Sequence, residues 1–183
     1  MALTFDDGPH PRKTKPILEL LARYGAKATF FVVGSNAEKY PELVRETAEK
    51  GHEIGNHTYN HTSRHDGSTD LMRDITECEE TVYRACGART RLFRPPGGIK
   101  EGCAGEVMSR MSYRLVMWTV DTRDWDKTPA KRIISTVLNS VKDGNIVLFH
   151  DFTCDGCHTY EALSELLPLL RDRGYEFVTV SEL

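Results

Sequence analysis

The stretch Thr4-Phe5-Asp6-Asp7-Gly8-Pro9 decides how this chain is read. A short apolar run, Ala2 to Phe5, delivers two adjacent carboxylates to a Gly-Pro pair that turns the backbone away. If that run is a buried strand, Asp6 and Asp7 stand at its C-terminal end, where α/β folds place their chemistry. Successive side chains on extended backbone point to opposite sides, so the two acids can do two jobs, one holding a metal and one moving protons. An acidic turn without chemistry is the plain alternative, because Asp-Gly is common in turns. The rest of the chain decides between them.

Working outward, the same pattern recurs. Ala28–Val33 is a continuous β-branched and aromatic run, the mark of a strand buried on both faces. His52–Gly55, Arg91–Phe93, Tyr113–Val120, Asn145–Phe149 and Glu176–Val180 bring the predicted strands to seven. Helices are predicted between them. Lys13–Tyr24 carries Ile17, Leu20, Leu21 and Tyr24 on one face, and Pro41–Lys50 follows the second strand. Ser68 or Thr69 caps a helix lined by Leu71, Ile75, Cys78 and Val82, with Cys78 a small buried hydrophobe. Glu101–Met111 is a weaker helix. Thr128-Pro129 is a cap and first-turn proline ahead of Ile134, Val137, Leu138 and Val141. Leu163, Leu166, Leu167 and Leu170 line the last helix, which Gly174 closes. Alternating strands and helices imply parallel strands joined by right-handed crossovers. Such units suit a doubly wound sheet or an incomplete barrel, since 183 residues fall short of a complete eight-stranded barrel, typically about 250.

Composition narrows the class. A content of 39% hydrophobic and 28% charged residues is that of a globular chain with a substantial core. A net charge of −3 does not suggest a nucleic-acid partner. No apolar run approaches the roughly 20 residues that cross a membrane, and no signal peptide precedes the first strand. With no repeat or linker, residues 1–183 are expected to form one domain. It begins so close to its own acids that an upstream segment, and any export signal with it, is expected to have been trimmed. Five cysteines, Cys78, Cys86, Cys103, Cys154 and Cys157, say little about compartment in a domain of this size.

The polar clusters share one property. Asp6/Asp7, His57/His61, Arg94, Asp121/Asp124 and His150 each follow a predicted strand, and in a parallel barrel such points converge on one rim. His57 and His61 are four apart, a spacing that brings two imidazoles to one metal on a helical turn, though a bare pair also occurs in polar loops. An aspartate from another strand end would complete a His₂-carboxylate set with open positions, as catalytic metal sites require. His10, His52 and His65 have no such partner and read as surface or packing residues. Asp124 reads as a partner for loop backbone, and Asp151 as a loop-solvating residue.

With these residues in view, the chain resembles the polysaccharide deacetylases, the NodB-like group of carbohydrate esterase family four. The resemblance rests on TFDDGP at 4–9, HTYNH at 57–61, FRPPGG at 93–98, DTRDW at 121–125 and VLFH at 147–150, in order. ATFFVVG at 28–34, GHEIGNH at 51–57 and GYEFVTV at 174–180 extend it over nearly the whole chain. It implies an α/β fold, a distorted, incomplete (β/α) barrel of about seven parallel strands. It implies one divalent metal ion, commonly zinc, although a His₂Asp set also accepts cobalt, nickel or iron.

The resemblance assigns Asp7, His57 and His61 as metal ligands and Asp6 as the catalytic base. It assigns Arg94 as the residue holding that base, His150 as the catalytic acid and Asp121 as the carboxylate orienting it. Pro96, Gly97, Trp125 and Leu148 fall at substrate-binding positions, the last two as walls for the acetyl methyl. Many relatives carry tyrosine where this chain has Gly97. The backbone N–H there is the oxyanion donor, so glycine is expected to leave activity retained but tuned. The implied reaction removes N-acetyl groups from GlcNAc-type polymers such as chitin oligomers or peptidoglycan. The rivals are O-deacetylation of acetylxylan and a catalytically dead glycan-binding module. The implied enzyme is a monomer, secreted or in the cell envelope. Cys154-Asp155-Gly156-Cys157 lies outside the family motifs and reads first as a local disulfide or idle thiols, then as a second metal site, then as a redox pair.

Overall fold

The structure is a computed structural model that describes residues 1–99, 104–152 and 154–183. Seven strands among the described residues form one sheet: β1 (Ala2–Asp6), β2 (Ala28–Val32), β3 (Glu53–Asn56), β4 (Leu92–Phe93), β5 (Arg114–Leu115), β6 (Val120–Asp121) and β7 (Ile146–His150). Every pairing is parallel, in the order β5-β4-β3-β2-β1-β7-β6, and the sheet curls into a half-barrel. The incomplete (β/α) barrel is the observed fold.

Strand alternation sorts the side chains. Leu3 and Phe5 face outward and join Phe30, Val147 and Phe149 in the main core. Phe5 stacks on Phe30 with ring centroids 4.8 Å apart and on Phe149 at 5.8 Å. The helices α1 (Thr14–Arg23), α6 (Ala130–Ser140) and α7 (Thr159–Asp172) close this core with Ile17, Leu21, Ile133, Val137, Leu163 and Leu167. Burying each such side chain contributes about 1.5–3 kcal/mol. The concave face holds a smaller apolar cluster of Ala2, Phe31, Leu92, Val116 and Val180. Thr4 and Asp6 continue the Ala2 column upward, so β1 is apolar on its outer face and increasingly polar toward the mouth. A third cluster packs α4 (Ser68–Cys86) on α5 (Ala104–Met111) through Leu71, Ile75, Val107 and Met108.

Several expectations are corrected. Tyr113–Val120 is not one strand. It divides into β5 and β6, which lie at opposite edges of the sheet. The carbonyls of Val116 and Met117, between them, accept hydrogen bonds from the Arg94 side chain at 3.1 and 3.3 Å. The backbone leaves the ladder there because a buried guanidinium takes the place of a neighbouring strand. Glu176–Val180 adds no strand to the ladder. It makes one isolated bridge, Ala2 to Val178, and then a 3₁₀ turn at Val180–Glu182 closed by a Thr179–Glu182 capping box. Two short helices stand where one was predicted: α3 (Pro41–Glu49) is joined by α2 (Gly34–Lys39), whose only buried side chain is Ala37 and which therefore has no apolar period to read. Gly67, not Ser68 or Thr69, is the N-cap of α4, and Pro129, not Thr128, caps α6. The predicted start of α5 at Glu101, and Cys103, lie outside the described residues.

Candidate active site

The strand ends do meet. Asp6 stands in register with His150 on one side and Phe31 on the other. Its carboxylate is buried, with Oδ1 accepting from Arg94 Nη1 at 2.7 Å. Arg94 is completely buried and every edge of its guanidinium is engaged. Besides Asp6 and the two seam carbonyls, Nη1 donates to Thr4 Oγ1 at 2.9 Å, and the plane lies over the Phe31 ring at 4.1 Å. The Arg94 backbone takes part as well: its N–H donates to Asn56 O at 3.0 Å, and its carbonyl accepts from His57 Nδ1 at 2.7 Å. One residue thus joins the seam of the barrel, the candidate base and a candidate ligand.

Asp7 leaves the strand. Its φ is +76°, a left-handed conformation that rotates its carboxylate away from Asp6, and Asn36 Nδ2 donates to its carbonyl at 2.8 Å. Asp7 Oδ1 lies 3.0 Å from His61 Nε2 and 3.4 Å from His57 Nε2. One ligand atom from each of the three residues falls within 4.8 Å of the others. The chemistry of this set fits a metal. A carbonyl only accepts, so the 2.7 Å contact to Arg94 O puts a proton on His57 Nδ1 and leaves Nε2 of the neutral ring with a lone pair. That lone pair faces carboxylate oxygens of Asp7 at 3.4 Å and Asp6 at 3.9 Å, and a cation among them satisfies all. Without a metal, burial pushes the Asp7 carboxyl up, but its contacts with His57 and His61 and the charge of His150 prevail and hold it well below its usual range. The Asp7 contact likewise raises His61.

The histidine loop has its own anchor, which sequence reasoning missed. Asp74, buried on α4, accepts with Oδ1 from Asn60 N at 3.0 Å, Asn60 Nδ2 at 2.9 Å and Tyr59 N at 3.2 Å. Its Oδ2 meets His65 Nε2 at 2.9 Å. His65 is therefore not a bystander but half of a buried pair behind the loop. The signal was an acid on the otherwise apolar Leu71–Ile75 face. Asp151 is also not a loop-solvating residue. It is buried, accepts from Thr14 Oγ1 at 2.5 Å and presses against Gly8, where an added Cβ would lie 2.2 Å from either oxygen. Burial, with the charges of Asp7 and Asp6, pushes its carboxyl up to about 7 against the Thr14 bond.

The other arm corrects the sequence reading. Asp124, not Asp121, holds His150. Asp124 is completely buried; its Oδ1 meets His150 Nδ1 at 2.8 Å, and its Oδ2 accepts from His150 N at 2.9 Å and Thr159 Oγ1 at 2.7 Å. Asp121 is exposed and accepts from Arg123 N at 2.9 Å. Chain direction explains the exchange. Asp121 ends β6, and the 3₁₀ turn Asp124–Asp126 folds back beside β7, so the later acid reaches the histidine. Burial opposes the charged imidazole, but the bond and charge of Asp124, aided by Asp6 and Asp7, raise His150 to about 9.

Of the expected substrate-binding positions, Pro96 is buried and Gly97 has φ +65° in the same 3₁₀ turn, Pro96–Gly98. Leu148 is buried on the face of β7 it shares with His150. Trp125, in the turn that carries Asp124, is 49% exposed. Among the described residues, the nearest atom to the Gly97 side-chain position is Ile99 Cγ1 at 4.0 Å.

The family model described as polysaccharide deacetylase matches residues 1–116, and the chain belongs to that family. It is 39% identical to a peptidoglycan-N-acetylglucosamine deacetylase of Bacillus cereus over all of this chain and 87% of that protein. It is 37% identical to a chitooligosaccharide deacetylase of Sinorhizobium fredii over 94% of this chain and 86% of the other. A family 4 acetyl xylan esterase from Clostridium thermocellum, solved with a cobalt ion, superposes with a TM-score of 0.91 at 33% identity, covering 99% of this chain and 88% of that one.

Proposed function

We propose that the chain is a metal-dependent hydrolase that removes N-acetyl groups from GlcNAc-type glycans, chitin oligomers or peptidoglycan, at a site open to a polymer. The observation that carries this reading is the register of Asp6 with His150, beside a three-residue donor set that fits a cation. A proton acceptor, a cation site and a proton donor then surround one carbonyl. Residues 1–183 act as one catalytic domain, and a position at the cell envelope or outside it follows from the substrate.

Asp7, His57 and His61 would hold the ion, zinc in this proposal, which supplies Lewis acidity toward the acetyl carbonyl and an attacking water. Asp6 accepts the proton of that water as it attacks. Arg94 keeps the Asp6 carboxylate in place through a charge-assisted bond. An amine cannot leave as an anion, so His150 delivers a proton to the nitrogen, and Asp124 orients its ring and stabilises the charged form. The backbone N–H of Gly97 serves as oxyanion donor. Trp125 and Leu148 enclose the acetyl methyl.

O-deacetylation of acetylxylan is the second reading, favoured by the likeness to the acetyl xylan esterase. Acetate release from chitin oligomers, peptidoglycan and acetylxylan, after chelation and after adding back single metals, tests both. Release from the N-acetyl substrates that zinc restores is expected. Release from acetylxylan alone would replace the first reading with the second. An alcohol leaves with less help than an amine, so His150→Ala should depress amide cleavage more than ester cleavage.

A further inference from the structure

The loop after β7 carries chemistry that the deacetylation reaction does not use. Cys154 Sγ and Cys157 Sγ lie 3.1 Å apart, brought together by a turn at Gly156 with φ +86°. Cys154 is exposed and Cys157 half-buried, so a small molecule can reach the pair. The pair sits between the end of a strand, His150, and the start of a 14-residue helix, Thr159. Cys157 is two residues ahead of that helix, so the pair stands at its N-terminal end. Lys13 Nζ donates to the Cys154 carbonyl at 2.8 Å and brings a positive charge to the loop. Strand, Cys-x-x-Cys, helix is the context in which adjacent thiols exchange with disulfides. The contrast within the chain is Cys78, completely buried and pushed up to about 12 by desolvation.

We infer that Cys154 and Cys157 form a thiol–disulfide exchange site whose substrates are low-molecular-weight disulfides. The thiolate of the more exposed Cys154 attacks one sulfur of RSSR; a mixed disulfide forms, the R–S–S–R bond breaks and RS⁻ leaves. Cys157 then attacks Cys154 Sγ, closes the intrachain disulfide and expels the second RS⁻. Both thiolates take up the two protons the cysteines give up, so two cysteine thiols and RSSR become one protein disulfide and two RSH, with two electrons passed to the external disulfide. The site also touches the glycan-facing wall. Cys157 Sγ and Cys154 Sγ stand 3.4 and 4.0 Å from the carbonyl of Trp125. Oxidation withdraws the nearer S–H donor, that of Cys157, from that carbonyl, and its effect on turnover rests on the deacetylase reading.

The test uses the intact protein, reduced and then equilibrated with graded ratios of reduced and oxidised glutathione, alkylated and digested with trypsin. The fragment 143–171 contains both cysteines and no others. It should shift, reversibly with dithiothreitol, from a doubly alkylated form to an unalkylated form lighter than the dithiol by two hydrogens. Cys157→Ser should stop the reaction midway and retain one glutathione on Cys154. A fragment doubly alkylated at every ratio, or a wild type that stops at the mixed disulfide, would overturn the site. Oxidation should raise KM for the glycan about three- to fivefold with kcat unchanged, the size of one lost weak hydrogen bond. An unchanged KM would sever the link to Trp125. Disulfide formation in a protein that releases no acetate in either state would uphold the exchange site and count against the deacetylase reading instead.

Discussion

Asp6 and Asp7 are the same residue in adjacent positions, yet the fold gives them opposite circumstances. Asp6 remains on the strand, points into the half-barrel and is sealed against Arg94 with 4% of its side chain exposed. Asp7 is turned out of the strand by a left-handed backbone, keeps 26% exposure and faces two histidines. The difference teaches that a single peptide unit at a strand end is enough to give two adjacent carboxylates different partners, one a buried guanidinium and the other a pair of imidazoles. The strand's alternation supplies one direction, and the turn supplies the other.

The largest expected effect separates the two acids directly. Asp7→Ala should abolish metal retention, read by equilibrium dialysis, and turnover with it. Asp6→Asn should retain the metal while kcat falls about 10²–10⁴-fold, the usual range for a lost general base. Turnover that survives in Asp6→Asn would end its role as base.

The next effect asks how firmly the buried half is built. Arg94→Met leaves a carboxylate and two seam carbonyls without donors, and should cost about 3–5 kcal/mol in chemical denaturation. The double variant with Asp6→Asn should recover part of that loss, because the buried charge is then gone. Strict additivity would mean that the pair does not act as a unit.

A smaller effect repeats the comparison on the other arm, between Asp124 and Asp121. Asp124→Asn should lower kcat about 10- to 100-fold, part of a general acid's usual contribution, while Asp121→Asn should stay near wild type. NMR titration of the metal-free protein should find His150 near 9 and, in Asp124→Asn, closer to its ordinary 6.5. Because the folded value is raised, the His150–Asp124 contribution to stability is complete below about pH 6.5 and fades as pH rises through about 9. A His150 that titrates alike in both proteins would refute the pairing.

The smallest effect concerns Gly97. Its φ is positive, so Gly97→Ala should cost about 1 kcal/mol through backbone strain, with kcat little changed. A Gly97→Tyr variant faster by a hundredfold or more would show that the glycine is not benign.

Much of this was legible beforehand. The outward column of Leu3 and Phe5, the apolar run of β2 and the helix stripes are local patterns, and burial enforces them wherever they occur. The strand-end positions of Asp6, Asp7, His57, His61, Arg94 and His150 were legible for the same reason, since each polar cluster directly follows an apolar run. What escaped depended on partners distant in the chain. Asp124 and Asp121 are equally acidic and three residues apart, and nothing local says which will fold back to β7. Asp74 and His65 lie nine residues apart and meet only because α4 packs behind the histidine loop.

The sequence by itself determined the alternation of strands and helices, the chemistry available at the mouth and the family that the ordered motifs define, because these follow from short-range periodicity and residue type. Only the tertiary structure decided that the seam falls between β5 and β6, that Arg94 fills it, and that Asp124 rather than Asp121 serves His150. Those choices rest on which buried donors and acceptors find one another across the curl of the sheet, and a buried polar group accepts whichever partner the packing brings within reach.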